Sequence, residues 1–296
     1  LGTDGKLYPW RNRPPDDQIA GYDATQGEYG YLAFDSFDGD SRILITDFAC
    51  HAVTVQVQPL VSADFPGVAM DLVERTAPGC SGSLFLQGAC GDQDPVRGDS
   101  RDFADVTRYG MMLAGEVIKL AARLDDPTYP ACPARIAVAS ERLALPAREP
   151  PPEGPVRDAF EEADQALAKA QTEEERKRLA RERRVAEEAL IQIQRLREPL
   201  VGEVQVLRLG DAAIVGLPGE PFSAIGLEIK ARAATPHPFV VGYANDYLGY
   251  FPTPHAWELG GYEMSNGPWS LAGPGAASVL VEESLELIEA LWDDTE

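Results

Sequence analysis

Imidazole is scarce in this chain. His51, His237 and His255 are its three histidines, so any metal or proton-transfer chemistry that needs one must draw on them. By default each reads as a loop or core residue. His51 differs: it follows the β-branched and apolar run RILITDFAC and stands at a strand's polar end, where α/β proteins gather their sites. Glu220 stands in the same relation to a second apolar run, in AIVGLPGE, across a glycine-bearing turn. A helix pattern begins just after it, so two readings stay open, a site carboxylate or a cap on that helix's N-terminus. The stretch YANDYLGYFPTPHAWELGGYE sets Tyr243, Tyr247, Tyr250, Trp257 and Tyr262 in a Gly- and Pro-bearing loop. Such a loop serves either as a packing lid or as the lining of a substrate pocket. Other chemistries have little to stand on. Ser62 and Ser81 sit in no G-x-S-x-G elbow, and Cys50, Cys80, Cys90 and Cys132 show no C-x-x-C zinc spacing.

The elements that must position these residues alternate between strand and helix patterns, which implies an α/β body with a mixed sheet flanked by helices. Residues 1–40 read as loops with short strands. SLFLQGACGD reads as a buried strand and its exit loop, and VQVLRLGDAAIVGLPG as two strands around a Gly-Asp turn. Helical spacing marks VAMDLVERTA, residues 102–124, PFSAIGLEIKARAA and the C-terminal SVLVEESLELIEALW. From Val156 to Leu196 the pattern is almost wholly charged. Thr172 and Glu175 form a T-x-x-E box there, so one helix should end near Gln171 and another begin. Leu179, Ala186, Leu190 and Ile193 give the second helix a narrow apolar stripe, as expected of a helical hairpin. Residues 1–150 and 200–296 therefore read as one α/β domain, and 154–198 as an inserted helical arm.

Charge narrows the partners. Over 296 residues, 26 Lys plus Arg face 48 Asp plus Glu, a net charge of −22. A surface that tracks phosphates needs clustered cations, so nucleic acid is excluded as the expected partner. No run of 18 apolar residues occurs, hence nothing is expected to span a membrane. No signal peptide is visible after Leu1, and a removed one would leave no trace, so cytoplasmic and secreted locations both stay open.

Several segments, taken in order, resemble the neutral (neutral/alkaline, non-lysosomal) ceramidase family, zinc-dependent amidases. FACHAVTV resembles the family's A-T-H-P-T segment, which implies that His51 binds zinc. SADFPGVA is similar to its serine-acid stretch leading to a glycine and a helix. GLPGEPFSAIG resembles its G-x-P-G-E segment, implying Glu220 as a second ligand. NDYLGYFPTPHAWELGGYE resembles its aromatic segment, implying Tyr250 on the zinc and Tyr262 hydrogen-bonded to the reacting carbonyl. Those two tyrosines are 12 positions apart, the interval the family motif has. Asn12 and Arg13 resemble the N-R of its N-R-S-P segment, whose arginine faces the substrate. The chemistry asks for such residues on its own account. Zinc takes imidazole nitrogen and carboxylate or phenolate oxygen, keeps a position for water and polarises a carbonyl, and a phenol or guanidinium stabilises the resulting oxyanion.

The sequence also departs from the family. Nothing in it matches the upstream T-H-T-H-S-G-P segment that supplies another zinc histidine, and the expectation is that the family's C-terminal immunoglobulin-like domain is missing. The family's G-D-V-S-P-N hexapeptide is here GDQDPV, with Asp94 at the serine position. Asp94 is either a residue that orients a ligand or water, or a turn residue before Pro95. The leading expectation is a zinc-dependent hydrolase of an amide bond in an N-acylated or lipid-like small substrate. It includes an N-terminal segment or second chain completing the site, and a homo-oligomer formed through the hairpin. The alternative is a non-catalytic relative that acts in assembly or binding through its arm.

Overall fold

The computed structural model describes residues 3–4, 15–20, 29–36, 38–56, 58–95, 102–124 and 135–293. Two mixed sheets form its frame. In the first, β1 (Tyr29–Asp35) runs antiparallel to β2 (Arg42–Phe48), which runs parallel to β3 (Cys80–Gln87). The β2–β3 crossover is α1 (Asp64–Thr76), and α2 (Phe103–Ala121) packs on it. Leu44, Phe65, Ala69, Val73, Leu113 and Val117 fill the space between sheet and helices. The start of α1 is fixed locally: the Ser62 hydroxyl accepts from the Asp64 amide, and the Asp64 carboxylate accepts from the amides of Val55 and Phe65. Ser62 is thereby committed to a turn, and Ser81 donates to the Arg42 carbonyl, so both serines have structural work.

The second sheet has the order β4-β5-β6-β8. The strands β4 (Ile136–Ala144), β5 (Val201–Leu209) and β6 (Ala212–Gly216) form antiparallel neighbours, and the turn between the last two is the expected Gly-Asp, with Gly210 at φ +61°. A two-residue strand, β7 (Glu220–Pro221), and helix α5 (Ser223–Arg232) carry the chain across to β8 (His237–Val241), parallel to β6. Next come β9 (Tyr250–Phe251), the short α6 (Pro254–Leu259) and α7 (Ala276–Asp293), which lies against β4, β5 and α5. Val204, Val206, Val215, Phe222, Ile229, Leu280 and Ile288 belong to this second core.

The two sheets meet at one seam. Gly88, just past β3, forms an isolated bridge with Val241 at the end of β8, and the Gly242 amide donates to the Gln87 carbonyl. The carboxyl ends of β2, β3, β6 and β8 converge there, the place where α/β architectures leave a crevice. A buried ion pair ties the halves together nearby, with Lys230 Nζ of α5 lying 3.4 Å from Asp47 Oδ2 of β2.

Between β4 and β5 the chain makes two helices, α3 (Glu153–Leu167) and α4 (Glu173–Arg195). Thr172 caps α4 by accepting from the Glu175 amide, while the Glu175 carboxylate accepts from the Gln171 amide, so the break falls where the sequence puts it. Leu179, Ala186 and Ile193 are buried and Leu190 is half-buried. Arg183 joins the helices, bonding Asp164 and lying over the Phe160 ring. At the far end from Thr172, α4 buries Ala189 and Gln192 as well. Among the described residues no helix is long and apolar enough to cross a membrane.

Candidate functional site

Each half of the frame delivers one polar group to the seam. His51 leaves β2 by three residues, and its amide donates to the Gln93 carbonyl in the loop after β3. Glu220 follows the turn after β6. That turn can be made only without a side chain: Gly219 has φ +153°, and a Cβ there would lie 2.3 Å from the Gly249 carbonyl oxygen. The tight turn lets β7 pair with β9 in a two-residue parallel ladder whose register sets Glu220 beside Tyr250. Gly91 permits a second close approach, since a Cβ on it would lie 2.5 Å from the Glu220 carbonyl oxygen.

The imidazole and the carboxylate meet. His51 Nε2 lies 3.2 Å from Glu220 Oε2, and both residues are buried. Their outer atoms are held by two different tyrosines. Tyr243 places its hydroxyl 3.1 Å from His51 Nδ1, and Tyr247 donates to Glu220 Oε1 at 2.6 Å. These two rings stack on one another, 6.1 Å between centroids and 4° apart in plane. The alternative reading of Glu220 as a helix cap is not what the structure shows. The N-terminus of α5 is capped by Asp92, which accepts from the Ser223 amide at 2.6 Å and from its hydroxyl at 2.9 Å.

Aromatic rings continue the wall. Tyr250 meets His51 edge-on at 6.3 Å between centroids, Tyr262 meets Tyr250 at 6.1 Å, and Trp269 stacks on Tyr262 at 5.0 Å. Burial, reinforced by the Glu220 charge, holds the hydroxyls of Tyr247 and Tyr250 well above the usual phenol range; for Tyr243, burial leads and Cys90 and Glu220 add to it. All three are therefore held as neutral phenols. Glu263 is pushed up to about 7, chiefly by burial and further by Asp94, Asp92 and Glu220, so it exchanges a proton near neutrality. Cys90 Sγ sits 3.4 Å from His51 Nδ1, but burial raises its thiol far above the ordinary value. It packs as a thiol rather than acting as a nucleophile.

The sequence-derived candidates fall out as follows. The structure brings His51, Glu220 and Tyr250 together and sets Tyr262 beside Tyr250. Asp94 lies in the loop of Asp92 and Gln93, and its charge is felt at Cys50 and Glu263. Arg13 and Asn12 lie outside the described residues, as does Cys132. His237 and His255 are exposed and away from this cluster. Sequence reasoning passed over Tyr243, Tyr247, Trp269 and Glu263. The first two were visible as members of an aromatic loop, but nothing local separates a ring that touches His51 from one that packs.

The donor types gathered at the seam fit a zinc ion. Among the described residues no group of three or more His, Cys, Asp or Glu side chains surrounds one point. The donors are one imidazole, one carboxylate and the neighbouring phenol of Tyr250. Two ligands on a tetrahedral zinc lie about 3.3 Å apart, close to the spacing of His51 Nε2 and Glu220 Oε2. Outer-atom hydrogen bonds to both are what metal ligands need to hold their orientation.

No protein-family model matches the chain. A stretch of 96 residues is 32% identical to the neutral ceramidase of Mycobacterium tuberculosis, covering 30% of this chain and 15% of that protein. Two solved structures share the fold. The neutral ceramidase from Pseudomonas aeruginosa aligns with TM-score 0.61 and 17% identity over 90% of this chain and 46% of its own. A ceramidase complexed with C2 aligns with TM-score 0.63 and 18% identity over 95% and 50%. The chain thus spans about half the length of the solved ceramidases it matches.

Proposed function

We propose that the chain is a neutral-ceramidase-like enzyme, a reading supported by its similarity to such proteins, and that it hydrolyses a linear amide in an N-acylated, lipid-like small molecule, with zinc held by His51, Glu220 and Tyr250. The single observation that carries the reading is the facing pair, His51 Nε2 and Glu220 Oε2 at 3.2 Å, with each outer atom held by its own tyrosine.

Zinc, when bound, supplies Lewis acidity and activates water for attack on the amide carbonyl. The chain's residues do the rest. Tyr243, accepting from Nδ1–H, selects the tautomer that leaves Nε2 with its lone pair facing Glu220. Tyr247 fixes one Glu220 oxygen and leaves the other directed at His51. Tyr262, at the edge of the wall, donates its hydroxyl to the carbonyl oxygen as negative charge develops there. The family resemblance assigns Arg13 to the substrate and Asp94 to orienting water or a ligand. Glu263, raised towards neutrality, would give a proton to the leaving amine. The rings of Tyr250, Tyr262 and Trp269 offer an apolar face to an acyl or alkyl chain.

The test has two parts. Purified protein, dialysed against zinc and then freed of excess, is analysed for bound metal, and turnover is measured on a short-chain fluorogenic N-acyl amide. About one zinc per chain is expected. Tyr262→Phe should lower kcat by about 10²–10³-fold without loss of folding. Absence of zinc together with absence of turnover would favour the non-catalytic alternative, and full activity in the Phe variant would reduce Tyr262 to a packing residue.

A further inference from the structure

The loop that carries Tyr262 and Trp269 is gripped from both roots of the helical arm. Ahead of α3, Arg148 donates from Nη1 to the carbonyls of Met264 and Ser265 and to the Ser270 hydroxyl, and from Nη2 to Asn266 Oδ1. At the end of α4, Gln192 is fully buried and its amide donates to the Ser270 carbonyl. One turn on, Arg195 donates to the carbonyls of Pro268 and Tyr247. A glutamine buried in a helix otherwise coated with charge is costly unless its bonds matter to the fold.

Two short threads run from these contacts to the metal face. Ser270 follows Trp269, whose carbonyl accepts from the Tyr250 amide at 2.8 Å, and Tyr250 is the ladder partner of Glu220. Gly249, which pairs with Ser270, accepts from the Glu220 amide at 2.9 Å. The second thread is Tyr247. Arg195 holds its backbone carbonyl while its hydroxyl holds Glu220 Oε1. Both threads end on Glu220, and one passes through Tyr250.

We propose that the foot of α4 is a positioning element of the site, in which Gln192 and Arg195 fix the β9 and 262–270 backbones and so the placement of Glu220 and Tyr250. This rests on the reading of those two residues as site groups. Neither Gln192 nor Arg195 touches a reacting atom in it. The arm is then part of the active machinery at its root, while its charged far end is free to vary.

Hydrogen exchange resolved by peptide, combined with kinetics, tests the idea on the intact chain. Gln192→Met keeps length and burial but removes the donor, and Arg195→Met removes the surface clamp without touching the core. Each should speed exchange in peptides covering 247–252 and 262–271 by about tenfold, with peptides of β5 unchanged. Arg195→Lys, which keeps one donor, should recover part of the protection. Arg184→Met, on the same helix but outside the foot, should change neither. On a turned-over amide, kcat should fall about tenfold in the two Met variants while KM moves less than twofold. Unaltered exchange in the two site segments, or acceleration spread equally into β5, would overturn the proposal. If the native protein hydrolyses no amide, the functional reading falls, yet the exchange data still decide whether the foot of α4 holds these backbones.

Discussion

Asp47 offers the cleanest energetic test, because it ties the strand that leads to His51 to the helix that follows Glu220. Asp47 is 1% exposed, the Lys230 ammonium lies 3.4 Å from its Oδ2, and among the described residues Oδ1 has no hydrogen-bond partner. Burial pushes its pKa up from 3.8 to about 6 against the pull of Lys230. Since the folded value is raised, its contribution to stability is fully present below 3.8 and is lost as pH rises through about 6. At about 1.4 kcal/mol per pH decade, the loss totals about 3 kcal/mol. Asp47→Asn mimics the protonated form, so the variant should gain on the native protein by about that amount between acid and neutral pH, most of it from about pH 4 to 6.5. Urea unfolding of both proteins at half-unit steps over this range measures the difference directly. A Lys230→Met background should enlarge the difference, because it removes the attraction that opposes the rise. A stability difference between native and Asn proteins that stays constant from pH 4 to 7 would refute the argument, since it would mean that Asp47 titrates alike folded and unfolded.

Tyr247→Phe removes the hydroxyl that donates to Glu220 Oε1 at 2.6 Å. If zinc is held as proposed, its affinity, read by competition with a chromophoric chelator, should fall about 10–100-fold, and an unchanged affinity would separate that phenol from the proposed zinc ligands. Gly219→Ala forces a Cβ to within 2.3 Å of the Gly249 carbonyl oxygen at φ +153°. It should cost about 3 kcal/mol or more by chemical denaturation, and a near-neutral result would show that the turn before β7 has room to relax.

Local chemistry made much of the fold legible. The Thr172–Glu175 box stops one helix and starts the next, and the Gly210–Asp211 turn separates β5 from β6. The apolar runs before His51 and Glu220 became β2 and β6. These features depend on residues a few positions apart, whose spacing along the chain is their spacing in space. Family-like segments also single out His51, Glu220, Tyr250 and Tyr262. Tertiary structure decided the rest. That His51 faces Glu220 follows from the seam at Gly88 and Val241 and the β7–β9 register, neither of which has a local signature. Nothing in the sequence distinguishes Tyr243 and Tyr247, which hold the outer atoms of the pair, from their aromatic neighbours, because ring direction depends on backbone angles such as the positive φ of Tyr243. Gln192 reads as one more polar residue on a charged helix. It is buried because the helix ends against a loop that joins it only in the folded chain, and its amide must then find the Ser270 carbonyl rather than water.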